Sequence, residues 1–127
     1  MPSVTYQYLP GPVGDCLKPS SLATTATIPL SPTASLVVTT GHLGLDLETG
    51  QLVNSSAEAE FNAIFSCLDA ALKNAGIVEG LLGAYKFVSY LQRFLGHTPT
   101  WSTVIVKEIN VSTMRAEIAA EGVLFSH

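Results

Sequence analysis

The sequence predicts one α+β domain, a single long amphipathic helix laid on a β-sheet, and three observations carry that expectation. Apolar residues recur at spacings of three and four from Phe61 to Ala75. Runs rich in β-branched and aromatic residues occupy 35–40, 82–90 and 101–108. Residues 114–125 alternate apolar with polar positions, the period of a strand with one wetter face. At 127 residues the chain can bury one core and not two, so 1–127 is read as a single domain.

Residues 1–33 are expected to be an irregular N-terminal segment with edge strands. Pro10, Pro12, Pro19, Pro29 and Pro32, with Gly11 and Gly14, remove backbone donors and favour turns. The first secure strand is 35–40, ended by Gly41, and 43–50 reads as a continuation with its turn at Thr49-Gly50. Ser55-Ser56-Ala57-Glu58 has the S-x-x-E spacing of a capping box, so the helix should begin there. Phe61, Ile64, Phe65, Leu68, Ala71, Leu72 and Ala75 form its buried stripe, whereas Glu60, Asn62, Ser66, Asp69 and Lys73 are assigned to its other faces. Asn74-Ala75-Gly76 supplies the stop. A second central strand is expected over 82–90, a helical turn over 92–96, and a third strand after Pro99. In the last strand Met114, Ala116, Ile118 and Ala120 share one face, and Arg115, Glu117, Ala119 and Glu121 the other.

Hydrophobic residues make up 47% of the chain and charged residues 13%, an apolar balance that points to burial between subunits. A net charge of -4 with six scattered Lys and Arg argues against nucleic acid as a partner. Cys16 and Cys67 are too few for a zinc site and read as free thiols in a reducing, cytoplasmic setting. The N-terminus has no basic stretch followed by an apolar run, and no membrane span is expected. Neither a metal nor a cofactor is expected, since there is no Gly-rich phosphate loop and no spaced ligand pair.

Several strings taken together resemble the Rid family of YjgF-like proteins, long labelled L-PSP endoribonucleases. They are Val37-Val38-Thr39-Thr40-Gly41-His42, like the family's strand ending in Ser-Gly-Gln; Asp46 to Gly50, like its D-x-x-T-G turn; the helix ending in Lys73-Asn74-Ala75-Gly76; Tyr85-Lys86-Phe87-Val88; and the strands from Pro99-Thr100-Trp101 to Met114-Arg115-Ala116-Glu117-Ile118. The resemblance implies a chorismate-mutase-like sheet, a homotrimer and a small-molecule ligand in clefts between subunits. It also implies chemistry on imines or enamines, released as ketone and ammonia, with an arginine holding the substrate carboxylate and a glutamate working through water.

This chain departs from that pattern. The family's arginine falls at Trp101, as in a fungal-type branch, its glutamate at Ala119, and its neighbouring cysteine at Thr103. An indole offers one N–H and no charge, so it can stack on a flat ligand but cannot clamp a carboxylate. Only ten residues separate Tyr90 from Trp101, too few for the family's second long helix, which should be much shortened. Carried over position by position, His42 becomes a candidate general base with a pKa near neutrality, and Glu117 a candidate acid beside the vacated position. Trp101, Thr40, Gly41, Thr103 and Phe87 become candidate cleft residues. The expected activity is hydrolysis, tautomerisation or cyclisation of an imine, enamine or enol. A non-catalytic metabolite-binding or interaction protein stands as the alternative.

Overall fold

The computed structural model describes residues 3–92, 102–106, 111 and 113–125, with the backbone alone at 85, 86, 89–92 and 102–106. In chain order the elements are β1 (Thr5–Gln7), α1 (Pro12–Leu17) running into a 3-10 turn (Lys18–Ser20), β2 (Thr25–Ser31) and β3 (Ala34–Thr39). There follow α2 (Ala57–Asn74), a second 3-10 turn (Gly80–Gly83), β4 (Ala84–Gln92), β5 (Ser102–Val106) and β6 (Ala116–Phe125). The strands form one sheet in the order β1-β2-β3-β6-β4-β5. All neighbours are antiparallel except β4 and β5, which run parallel. The α+β expectation holds. The expected shortening of a second helix, and the helical turn over 92–96, fall on a connection outside the described residues beyond Gln92.

The N-terminal segment is more ordered than its prolines suggest. Pro12 stands at the start of α1, where its missing N–H would have no helical partner. Pro29 sits in β2 beside the register shift that ends regular pairing with β3. β2 is an inner strand between β1 and β3, and of these three strands β1 lies at an edge of the described sheet.

α2 begins one residue later than the S-x-x-E spacing indicates. Ser56 is the cap, its hydroxyl accepting from the Ala59 amide at 3.1 Å, so the residue three positions on is an alanine and no reciprocal glutamate bond forms. At the other end the Gly76 amide donates to Lys73 O and the Ile77 amide to Leu72 O, both at 3.0 Å. Gly76 adopts φ 107°, the left-handed conformation that this crossed pair of bonds requires.

The core lies between α2 and one face of the sheet. Ile64, Leu68 and Leu72 from the helix meet Val37, Ala116, Ile118 and Ala120 from β3 and β6. Phe65 and Phe87 add an edge-to-face contact, with centroids 6.3 Å apart. Alternate residues of β6 are buried, as the polar alternation of 114–125 requires. Glu60 departs from the expected pattern, being fully buried rather than on an outer face. Among the described residues no helix is long and apolar enough to cross a membrane.

Candidate functional site

β3 ends at Thr39, just before the stop expected at Gly41, and the stretch beyond it carries an irregularity that shapes the site. Val38 is the register partner of Glu121, and the next partners are His42 and Ile118, so four steps on one strand match three on the other. One extra residue is thus accommodated, as in a β-bulge. The hydroxyl of Thr39 fills the broken ladder: it accepts from the Ala120 amide at 2.9 Å and donates to Thr40 O at 2.8 Å. The Thr40 amide donates to Thr24 O at 3.0 Å, tying the same stretch to the start of β2. One isolated bridge forms beyond it at His42, which donates to Ile118 O at 2.8 Å and accepts from its amide at 3.0 Å.

Pairing with Ile118 puts the His42 side chain on the helix-covered face, where it is 2% exposed. Its Nε2 finds no hydrogen-bond partner among the described residues. Burial disfavours the imidazolium and lowers the pKa from 6.5 to about 4. The expected titration near neutrality is therefore corrected, because desolvation, with no compensating acid among the described residues, keeps the ring neutral.

Gly41 turns to the opposite face, where Glu117 lies. A Cβ on Gly41 would come within 2.8 to 3.0 Å of Glu117 Cδ, Cγ and Oε1, so the carboxyl rests directly on the glycine backbone. Only glycine permits that approach. Glu117 is half-buried, and burial raises its pKa above the ordinary glutamate value. Of the expected site residues, the fold thus brings Gly41 and Glu117 together.

Thr40, on the same open face, borders a groove of about 410 Å³ whose walls include Tyr6, Tyr8, Leu22, Ala26 and Val38. Phe87, expected in the cleft, instead packs in the core under α2, since its partner Ala120 belongs to the covered face. Trp101 lies outside the described residues. Thr103 is described by its backbone alone, in β5 opposite Ser89.

Sequence reasoning missed Glu60. Its Oε2 accepts from the amides of Arg115 at 2.7 Å and Ala116 at 2.9 Å, and its Oε1 pairs with Arg115 Nη1 at 3.0 Å. A carboxylate out of water requires such saturation with donors. The signal was available: Glu60 precedes Ile64 by four residues and so lies on the buried stripe.

No family model and no curated protein matches the sequence. Solved structures do resemble it. An endoribonuclease L-PSP-type protein from Entamoeba histolytica is 15% identical, with a TM-score of 0.72 over 96% of this chain and all of that one. The protein YJGH is 14% identical, with a TM-score of 0.71 over 97% of this chain and 98% of its own. A YjgF-family protein from Mycobacterium tuberculosis is 17% identical, with a TM-score of 0.65 over 94% and 98%. The arrangement of α2 on this sheet is accordingly the YjgF-like fold.

Proposed function

We propose that the protein is a Rid-like small-molecule enzyme acting on an imine, enamine or enol, with Glu117 as its acid–base group. One observation carries the reading: a half-buried carboxyl with a raised pKa, seated on glycine at a bulge in the middle of the sheet. In imine hydrolysis, water forms a C–O bond to the imine carbon while the C=N π pair moves to nitrogen. Glu117 takes the proton from water and returns it to nitrogen. In the resulting carbinolamine Glu117 passes the hydroxyl proton to nitrogen as the C–N pair moves to nitrogen, giving the ketone and ammonia. His42, neutral and facing the core, holds Ile118 in place through its backbone and leaves proton transfer to Glu117.

The substrate in this reading is neutral or apolar, because Trp101 stands where the family resemblance expects a carboxylate-binding arginine, and the chain carries net charge -4. The ligand lies between subunits of a homotrimer, in keeping with an open sheet face that bears Ile28, Leu36, Val38 and Val123. A binding-only role is favoured by one feature, the groove beside Thr40, which is walled mainly by Tyr6, Tyr8 and apolar residues.

The test compares the parent with Glu117→Gln on a neutral open-chain N-unsubstituted imine and on an imine derived from an amino acid. Turnover of the neutral substrate should fall roughly a hundredfold or more in the variant, the scale of placed acid–base catalysis. Parent turnover of the amino-acid imine should be weak. Full turnover by Glu117→Gln would overturn the assignment, and no turnover above buffer by the parent would favour the binding role.

A further inference from the structure

Glu60 reaches both halves of the candidate site from a helix that contributes nothing else to it. Through Oε2 it takes the amide hydrogens of Arg115 and Ala116, the two donors immediately before Glu117. Through its backbone and Cγ it backs Gly44, where an added Cβ would meet Glu60 O at 2.9 Å and Cγ at 3.1 Å. Gly44 lies two residues past His42, on the segment that carries Gly41. One buried residue thus holds the strand that presents Glu117 through its carboxylate and lies against the segment that supports it through its backbone and Cγ.

We propose that Glu60 is a positioning residue that holds Glu117 against Gly41. The proposal rests on Glu117 being the acid–base group of the site. Burial alone would hide an apolar residue at position 60 equally well. A carboxylate is needed because two backbone N–H groups at the entry to β6 converge on one point, and only an acceptor with several lone pairs can take both. The Arg115 guanidinium at 3.0 Å then balances its charge, and that arginine is held in turn by Asn54 O at 3.3 Å. Without the acceptor, the start of β6 is free to part from α2, and Glu117 moves toward water.

The test is the titration of the Glu117 carboxyl carbon by NMR in the full chain, with Glu60→Ala, Glu60→Asp and Glu60→Gln. In Glu60→Ala the midpoint should fall toward the ordinary glutamate value. In Glu60→Asp, which keeps the charge opposite Arg115 but is one methylene too short to take both amides, it should fall by less. In Glu60→Gln, whose amide oxygen still accepts from both, it should stay raised. An unchanged midpoint in a folded Glu60→Ala protein overturns the proposal, and should that variant not fold, an unchanged midpoint in Glu60→Asp does the same. The titration reads the position of Glu117 whether or not a substrate is turned over. Full turnover by Glu117→Gln alongside a lowered midpoint in Glu60→Ala would therefore end the catalytic reading and leave the positioning role standing.

Discussion

The two faces of the sheet treat neighbouring residues in opposite ways. On the covered face, α2 removes Ile118 and His42 from water, and every described side chain there is apolar or engaged, apart from the orphaned His42 Nε2. One residue along β6 the open face begins, with Glu117, Ala119, Glu121 and Val123 all half-exposed and no element of the described chain lying over them. The same physical cause, desolvation, acts on both sides with opposite sign: it lowers the pKa of a base on one face and raises that of an acid on the other. Each favours its neutral form. The difference lies in access, since only the acid stands where a ligand can arrive.

The largest expected contrast is in packing. Leu68→Ala, on the covered face, should lower the free energy of unfolding in urea by about 3 kcal/mol, because it opens a cavity in a fully buried site. Val123→Ala, on the open face, should cost under about 1 kcal/mol in a lone chain. Equal costs would break the comparison and mean that another subunit covers the open face, which sedimentation of the parent would register as a trimer.

Acid should separate the faces next. His42 is neutral in the fold, so its contribution to stability is complete above about pH 6.5 and is lost as pH falls toward 4, by about 3 kcal/mol in all. His42→Gln should remove that slope between pH 6.5 and 4. The lowered carboxyls of Asp46 and Asp69 act in a different window, giving up their stabilisation only as pH falls below their ordinary value of 3.8. Glu117 has the reverse sign: its raised pKa means that ionisation opposes folding as pH climbs past the ordinary glutamate range. A flat profile for the parent between pH 6.5 and 4 would contradict the burial of His42.

Gly41→Ala sharpens the comparison at the site itself. The added methyl must push the flexible, half-exposed Glu117 side chain aside, so stability should drop by no more than about 1 kcal/mol while the Glu117 midpoint falls as the carboxyl is displaced into water. The smallest effect concerns the helix that makes one face covered. Ser56→Ala should cost about 1 kcal/mol and Ser55→Ala almost nothing, measured by thermal unfolding, because only Ser56 caps the Ala59 amide.

The covered face was the legible part of the sequence. Its apolar stripe on α2 and the alternation of 114–125 are periodic signals, and periodicity reports which side is buried. Residues 10–33 were less legible, since prolines there mark a helix start and a strand irregularity as readily as a loop. At the site, Gly41 and Glu117 could be singled out, but not their contact, which depends on one extra residue in a strand and on the Thr39 hydroxyl that repairs the ladder. A bulge leaves no composition signal. Glu60 was misread because charge was allowed to outweigh its spacing, and its partners, the amides of Arg115 and Ala116, are backbone groups that no side-chain pattern announces.

The strand order has a consequence for how the molecule is made. β6 comes after every other described strand in the chain, yet it lies inside the sheet, bonded to β3 on one side and β4 on the other. Until it arrives, β1–β3 and β4–β5 are two separate ribbons with open hydrogen-bonding edges, and α2 has no Ile118 or Ala120 to close upon. A ribosome releasing the chain from its N-terminus must leave the β3 edge unpaired while residues 40–115 are made, so that edge is open to strand-mediated aggregation until β6 emerges. Folding should therefore be late and abrupt, triggered by the emergence of β6 and not built up strand by strand.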